Sequence, residues 1–242
     1  MFTYSAPGVA GGWTDLPRAL AEFHLAVPVG AAVRCSVGAG APEEMPTLAD
    51  LLVGAGFVVE RTRRPRAGGM VAEAQRDRTL PDFVGGRMRM LVCGLNPSVV
   101  SADAGFGFAG ATNRFWAVAV AAGAVTAPRQ PLVSLEEDGI GMTDLVKRAT
   151  PNADTLTAGE YQAGAERVQR MVQWLRPGVV LFVGLAGWRA AVDRRAQPGP
   201  QPSPFGGAPA YVMPSTSGRN ARTSPAELAA HMRRALALAG CG

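Results

Sequence analysis

Asn96 stands directly after a short apolar run and directly before a proline, in the sequence GLNPSVVSADAGFGFAGATNRFW over 94–116. A side-chain amide is not a strong base, but its oxygen can hold a water molecule in line for attack on an electrophile. Glycines of the same loop let backbone approach a ligand closely. Phe106 and Phe108 offer rings that could stack on a flat ligand. The residues alone leave a second interpretation open, in which Asn96-Pro97 is a turn that ends a strand.

A second polar loop follows an apolar run near the C-terminus. It reads, in order, Ser215, Thr216, Ser217, Gly218 and Arg219. Its hydroxyls and backbone N–H groups are suited to gripping phosphate oxygens. Arg222 and Lys147 are two further candidate phosphate contacts, or else ordinary solvated side chains.

Two carboxylates lie near these loops in sequence. Asp144, in GMTDLV, could face a ligand or could equally be a helix-capping or solvated aspartate. Asp103 lies inside the first loop, and a solvated carboxylate is the favoured interpretation there. His24 and His231 fall outside every motif and are interpreted as structural or surface residues.

Strands and helices alternate from residue 87 onwards. The predicted strands are Met88–Cys93, Val179–Val183 and Ala210–Met213, and the predicted helices are Asn113–Ala122, Thr157–Leu175, Ala186–Arg195 and Pro225–Ala239. The proline-rich stretch 197–209 is predicted to be a surface loop. Alternation of this kind predicts a three-layer α/β/α fold with a central, mainly parallel sheet. Ligands bind where loops leave the C-terminal ends of such strands, which would bring both polar loops together.

The first eighty residues predict a smaller α+β segment ahead of that fold. The predicted elements are helices over 14–25 and 48–53, with Thr47 as N-cap of the second, and strands over 31–37, 57–64 and 70–75. We therefore divide the chain into an N-terminal segment, 1–80, and a main domain, 81–242.

Three motifs of the main domain resemble the mismatch-specific uracil-DNA glycosylase and thymine-DNA glycosylase family. They are the GLNPS…NRFW loop, the GMTDLVKRATPNADTLTAGEY segment and MPSTSGRNA, in the family's order and spacing over about 87–240. The resemblance implies a uracil-DNA glycosylase-like fold and an enzyme of base excision repair that needs no cofactor and no metal. Its expected partner is double-stranded DNA with a mismatched or damaged base.

The resemblance also implies roles for individual residues. Asn96 would position the water, and Phe108 would stack on a base that has left the helix. Asp144 matches a position near the base, where its carboxylate could accept the N3–H of uracil, orient water or, if protonated, donate to a carbonyl. Arg219 matches the residue that fills the gap left by the flipped nucleotide. The remaining base-binding candidates are Leu95, Ser98, Gly105 and Asn113, of which Asn113 is also expected to cap a helix.

The motifs depart from the family pattern in two places. Ser98 stands where many members carry glycine, and Asp144 is one of several residue types used at its position. These departures could shift the preference towards another damaged base, including a deaminated purine. Phe115 and Trp116 are assigned to packing, and Phe106 remains an alternative for the stacking role of Phe108.

Residues 15–80 resemble the C-terminal end of class I S-adenosylmethionine-dependent methyltransferases. The cofactor loop of those enzymes has no counterpart here, and Gly38-Ala39-Gly40 is interpreted as a simple turn. We therefore expect a methyltransferase remnant without methyl-transfer activity.

Composition narrows the class of protein. With 48% hydrophobic and 18% charged residues, the chain can bury a core. Its three cysteines, Cys35, Cys93 and Cys241, are too few and too scattered for a disulfide framework or a zinc site. No apolar run is long enough to span a membrane, and the N-terminus does not resemble a secretory signal. We expect a cytoplasmic, nucleoid-associated monomer.

The net charge of +5 comes entirely from residues 81–242 and is compatible with a polyanionic partner. Charge does not distinguish two DNA hypotheses. The first is a monofunctional glycosylase that excises uracil, thymine or another damaged base. The second is a non-catalytic module that binds damaged or single-stranded DNA.

Overall fold

The computed structural model describes residues 1–6, 12–66 and 68–240; Cys241 therefore lies outside the described residues. Its elements form two sheets, one on each side of residue 80. The N-terminal elements are β1 Phe2–Ala6, α1 Leu16–Ala26, β2 Ala32–Val37, α2 Leu48–Gly54, β3 Phe57–Arg63 and β4 Met70–Arg76. Four strands form a sheet in the order β1-β2-β4-β3. β1 and β2 are parallel, whereas β4 is antiparallel to both of its neighbours.

Up to residue 240, where the description ends, the C-terminal part contains five strands and six α-helices. The strands are β5 Met90–Gly94, β6 Ile140–Asp144, β7 Val180–Val183, β8 Gly199–Pro200 and β9 Ala210–Met213. The helices are α3 Val99–Ala104, α4 Phe115–Ala121, α5 Pro131–Glu136, α6 Ala158–Leu175, α7 Leu185–Ala191 and α8 Pro225–Ala239. The sheet order is β6-β5-β7-β9-β8, and only the short edge strand β8 runs antiparallel.

Alternate residues of the central strands bury on opposite faces of this sheet. On β5, Met90 and Val92 pack with α4 and α8, whereas Leu91 and Cys93 pack with α6 and α7. Period-2 alternation with apolar residues on both faces is what a sheet covered by helices on both sides requires. The predicted three-layer α/β/α fold is confirmed.

The N-terminal sheet has a core of its own. Leu16 and Leu20 of α1 and Leu52 of α2 are fully buried with Val33 and Cys35 of β2. Thr47 caps α2 as predicted, because its hydroxyl accepts from the backbone N–H of Asp50.

Several elements differ from the prediction. The sequence analysis missed β1, α3, α5, β6 and β8. The prediction of a surface loop over 197–209 is wrong in part, because β8 pairs with β9 there and Phe205 is 1% exposed. Phe205 packs edge-on to Phe182, so this proline-rich stretch covers the edge of the core. Within the described residues, no helix is long and apolar enough to cross a membrane.

Candidate active site

The first polar loop and the end of β6 meet because two parallel strands end side by side. Gly94, at the end of β5, is in register with Asp144, at the end of β6. A Cβ on Gly94 would collide with an oxygen of the Asp144 carboxylate and lie 3.5 Å from Phe108 Cζ. Glycine at this position therefore lets the carboxylate and the ring approach each other.

A cavity of about 220 Å³ lies at this point. Its lining includes eight of the residues selected from the sequence, namely Leu95, Asn96, Ser98, Phe108, Asn113, Asp144, Ser217 and Gly218. Leu80, Pro97, Ser101, Gly107, Gly110 and Thr112 complete it. We call this the base cavity below.

The orientation of the Asn96 amide follows from its hydrogen bonds. Its Nδ2 donates to the carbonyl oxygens of Pro97 (3.1 Å) and Arg148 (3.0 Å) and to Thr150 Oγ1 (2.8 Å). Carbonyl oxygens only accept, so the nitrogen must be the atom that faces them. Among the described residues, no hydrogen bond occupies Oδ1, and this acceptor remains available at the base cavity.

Asp144 reaches the cavity without a partner for its carboxylate. Its backbone oxygen accepts from Arg167 at 2.9 Å and from Thr143 at 3.4 Å, and within the described residues its carboxylate forms no hydrogen bond or ion pair. Burial raises the pKa of the Asp144 carboxyl to about 6, with nearby Asp82 adding to the rise and Lys147 and Arg167 opposing it. A carboxyl left without partners beside a cavity is typical of a functional site.

Below the cavity lies a second, fully satisfied carboxylate. Asp82 is 3% exposed and pairs with Arg167 (2.5 Å) and Lys147 (2.9 Å). It also accepts from the Thr143 hydroxyl at 2.6 Å. Burial alone would raise the pKa of Asp82, but the two cations and the hydroxyl together lower it. We call Asp82, Lys147 and Arg167 the ion cluster.

Lys147 therefore does not lie where the sequence analysis placed it. Its ammonium group is committed to Asp82 and its side chain is 10% exposed. A phosphate contact would leave buried Asp82 short of a counter-charge, which is costly. The structure does not support the predicted phosphate contact of Lys147.

Phe108 occupies a left-handed backbone conformation, with φ of +60°. A non-glycine residue in this region carries a backbone cost and is over-represented at functional sites. Two contacts hold it: its ring stacks on Phe115 with centroids 4.0 Å apart, and the next backbone N–H, of Ala109, donates to Ser101 Oγ at 3.2 Å. Phe106 instead packs edge-on to Trp116.

Asn113 joins the two polar loops. Its Oδ1 accepts from the backbone N–H of Phe115 (3.0 Å), close to the predicted capping role, and from the Thr216 hydroxyl (2.9 Å). Both contacts fix the oxygen away from the cavity, so Nδ2 is the donor that Asn113 can offer to a ligand. Thr216 is 1% exposed, so its buried hydroxyl is not available to phosphate as predicted.

The second loop presses closely against the first. A Cβ on Gly218 would lie 2.6 Å from Thr112 Cβ, so only glycine allows this approach. Ser215 and Ser217 form a tight turn, since Ser217 N–H donates to Ser215 Oγ and Arg219 N–H donates to Ser217 Oγ. Arg219 and Arg222 are exposed beyond this turn.

Two predicted residues serve the scaffold of the site. The Ser98 hydroxyl caps α3 by accepting from Ser101 N–H at 3.1 Å, although Ser98 also lines the cavity. Gly105 ends α3 in a left-handed conformation, with φ of +76°, and does not line the cavity.

Sequence reasoning missed four residues of the site: Leu80, Asp82, Arg114 and Thr150. Arg114 donates from its guanidinium to the carbonyl oxygens of Thr223 (2.7 Å) and Asn220 (2.6 Å), which holds the second loop in place. Arg114 and Thr150 lie within the quoted motifs, so their polarity was a usable signal. Nothing in the pattern around Leu80 and Asp82 indicated their roles.

The described residues contain no group of three or more histidine, cysteine, aspartate or glutamate side chains that could hold a metal ion. What the base cavity offers is an acceptor at Asn96, a donor at Asn113, a carboxyl at Asp144 and an aromatic ring at Phe108. This set fits a flat, polar heterocycle, and Ser217 and Gly218 of the second loop lie next to it.

Two comparisons with known proteins give the family of this chain and a similar solved structure. Among solved structures, this chain is similar to a solution NMR structure of a candidate uracil DNA glycosylase from Methanosarcina acetivorans, with 20% sequence identity and a TM-score of 0.42. That similarity covers 64% of this chain and 96% of the other. Residues 81–238, well over half of the chain, match the sequence profile of the Uracil DNA glycosylase superfamily. This chain belongs to the uracil DNA glycosylase superfamily.

Proposed function

We propose that this protein is a monofunctional DNA glycosylase that hydrolyses the N-glycosidic bond of uracil in mismatched DNA. Membership of the superfamily supports DNA glycosylase activity in general. Selectivity for a mismatch follows from energetics, since a wobble pair costs less to open than a matched pair.

The observation that carries the proposal is the fixed orientation of the Asn96 amide. Three acceptors hold its nitrogen, and its oxygen is left to accept from a water molecule at the base cavity. That water would attack C1′ of the everted nucleotide while the bond from C1′ to the base nitrogen breaks and the base leaves with the bonding electrons. The proton that the water loses would pass through solvent to the departing base. The products are the free base and an abasic site. The amide acts by positioning, because it cannot remove a proton from water to any useful extent.

The other cavity residues would bind the base. The Phe108 ring would stack on it, a contact worth about 1–3 kcal/mol per base. The Asn113 Nδ2 donor would meet a base carbonyl, and the Asp144 carboxylate would accept the N3–H of uracil. Arg219, exposed on the second loop, would fill the gap in the helix.

Excision of uracil from a duplex with a single U·G pair tests the proposal. We expect an abasic product from the wild-type protein and a loss of at least about 100-fold in single-turnover rate for Asn96→Ala, comparable to removal of one positioned polar group in other active sites. Duplex affinity should change little, because Asn96 positions water and not DNA.

Gln201→Ala is a matched control for that experiment. Gln201 is also an amide that donates to two carbonyl oxygens, of Gln197 and Gly199, but it lies beside β8, outside the base cavity. Equal rates for Asn96→Ala and wild type would contradict the role of Asn96. Salt-dependent DNA binding with no abasic product on any lesion would favour the non-catalytic binding module instead.

We also propose that residues 1–80 descend from a methyltransferase and have no methyl-transfer activity. The resemblance of residues 15–80 supports the descent, and the lack of a counterpart to the methyltransferase cofactor loop supports the loss of activity. Titration calorimetry with S-adenosylmethionine tests it, and heat of binding would contradict it.

A further inference from the structure

The segment that joins the two sheets forms part of the base cavity. Phe83 and Met142 exchange two backbone hydrogen bonds, of 2.9 and 2.8 Å, so this segment covers the outer edge of β6. Three residues earlier, Leu80 lines the base cavity together with Phe108 and Asp144. Leu80 lies one residue before the family match begins, at residue 81. One wall of the cavity is therefore supplied from outside the part of the chain that matches the family.

Leu80 is held firmly in that position. The preceding residue, Thr79, accepts from His24 Nε2 of α1 through its carbonyl oxygen (3.2 Å) and donates from its hydroxyl to the carbonyl oxygen of Lys147. On the other side, the backbone N–H of Asp82 donates to Gly54 at the end of α2 (2.8 Å). Contacts with α1 and α2 thus hold the backbone on both sides of Leu80, at Thr79 and at Asp82, and Leu80 itself is 3% exposed.

Leu80 also lines a second, small cavity, together with Gly107, Phe108 and Asp144 of the base cavity. This second cavity has a volume of about 10 Å³ and lies next to the base cavity. A cavity of this volume holds about one water molecule. Because Leu80 lines both spaces, its truncation would enlarge the base cavity on the side of Phe108 and Asp144.

The positions of the polar and apolar atoms on a pyrimidine determine which part of the base Leu80 would contact. The O2, N3 and O4 atoms of the base form a polar edge that suits Asn113 and Asp144, whereas C5 and C6 form an apolar edge. Leu80 offers only carbon atoms at the same side of the cavity as Asp144 and Phe108. A base whose O2 meets Asn113 and whose N3–H meets Asp144 has its O4 and C5 on the side away from Asn113. Leu80 lines the adjoining small cavity on that side and Asn113 does not, so the leucine leaves little room for a C5 substituent.

We propose that Leu80 is a specificity-determining residue that restricts the base cavity to pyrimidines with hydrogen at C5 and disfavours 5-methyl and larger substituents. This inference rests on the proposed excision of uracil. It also gives the N-terminal unit a function, because that unit holds the residue in place.

The test compares release of uracil and of thymine from otherwise identical duplexes with the base opposite guanine. We expect Leu80→Ala to raise the thymine-to-uracil ratio of kcat/KM by roughly tenfold or more, which is the range for one to a few methylene groups in an apolar pocket. Leu80→Val should shift the ratio in the same direction by less, and it guards against failure of the alanine variant to fold.

Val84→Ala is the matched control. Val84 lies in the same segment and is fully buried, but it packs in the core beside α6 and not at the base cavity. Its truncation removes aliphatic packing and should leave the ratio unchanged. An unchanged ratio in a folded Leu80→Ala or Leu80→Val protein would overturn the proposal, as would an equal shift in Val84→Ala.

A binding measurement separates this proposal from the proposed function. Duplexes with non-cleavable 2′-fluoroarabino uridine or thymidine opposite guanine report base preference without chemistry. If the wild type prefers the uridine duplex and Leu80→Ala loses that preference while neither protein releases a base, glycosylase activity fails and the role of Leu80 stands. If the wild type excises uracil but Leu80→Ala alters neither ratio, only the role of Leu80 fails. If the wild type shows neither excision nor base-dependent binding, both proposals are overturned.

Discussion

The ion cluster and the base cavity are neighbouring regions, and each contains one aspartate: Asp82 is buried and Asp144 is half-buried. In the ion cluster, Asp82 has two cations and a hydroxyl as partners, and its pKa is lowered. In the base cavity, the Asp144 carboxylate has no such partners within the described residues, and burial raises its pKa to about 6. The same side chain is thus stabilised as an anion in one region and destabilised in the other.

This difference indicates a division of labour. A carboxylate whose charge and hydrogen bonds are satisfied, such as that of Asp82, stabilises the scaffold. Here it joins the segment after β4 to β6 and α6. A carboxylate without hydrogen-bond partners among the described residues, such as that of Asp144, keeps its hydrogen-bonding capacity for a ligand. The cost of that unsatisfied group is the kind of local instability that functional sites carry.

Removal of the charge of Asp82 should have the largest effect. Asp82→Asn leaves Lys147 and Arg167 as uncompensated, largely buried cations, and breaking a buried pair in this way typically costs about 3–5 kcal/mol. We expect a corresponding fall in the free energy of unfolding, measured by urea denaturation at pH 7.5. A change below about 1 kcal/mol would show that water or other groups compensate the two cations.

The equivalent change at Asp144 should act in the opposite direction. Its folded-state pKa of about 6 exceeds the ordinary value, so the folded state binds more protons between about pH 4 and 6 and loses stability as pH rises through that window. Asp144→Asn should therefore stabilise the protein at pH 8, by on the order of 2–3 kcal/mol, with the advantage disappearing towards pH 4. Denaturation at pH 8 and pH 4.5 measures it; a destabilised variant at pH 8 would mean that the carboxylate has a stabilising partner.

The parts of the fold that could be predicted from the sequence are those that a local apolar pattern determines. Apolar periodicity gave the central strands β7 and β9 and the long helices α6 and α8, with α8 and β9 predicted to the residue. β6 was missed because IGMTD is short and contains a glycine and two polar residues. Its place at the sheet edge is stabilised by pairing with β5 and by Phe83 from the linking segment, which local pattern does not show.

The site residues likewise include some that a local motif reveals and others whose roles depend on contacts distant in sequence. Asn96 was found because it follows a predicted strand, and Phe108 because it lies in the same glycine-rich loop. Asp144 was found only through the resemblance of its motif to the family, because β6 was not predicted. Leu80 was not found, because an isolated leucine gives no chemical signal and its position depends on α1 and α2 packing from outside the main domain. The role of Lys147 was misjudged because its partner Asp82 is 65 residues away in sequence.

His24 extends the comparison to a buried base in the N-terminal unit. Burial, together with the nearby cations Arg76 and Lys147, lowers the pKa of His24 to about 3. The unfolded chain therefore binds more protons between about pH 3 and 6.5, and stability falls as pH is lowered through that window. We expect a loss on the order of 2 kcal/mol between pH 7 and pH 5. His24→Gln, which keeps a donor near the Thr79 carbonyl, should remove most of that slope in urea denaturation, and an unchanged slope would assign it to other groups.

The smallest effect should come from the exposed contact between the two units, which complements the buried one at Asp82. Arg78 donates to both oxygens of Asp103 at 2.7 and 2.6 Å, and so ties the segment after β4 to α3, but both side chains are more than half exposed. Solvent and salt screen such pairs, so Arg78→Ala should change the free energy of unfolding far less than Asp82→Asn does, and by still less in high salt. A double-mutant cycle with Asp103→Ala at low and high salt measures the coupling. Coupling as large as the effect of Asp82→Asn would mean that burial does not decide which ion pairs hold the two units together.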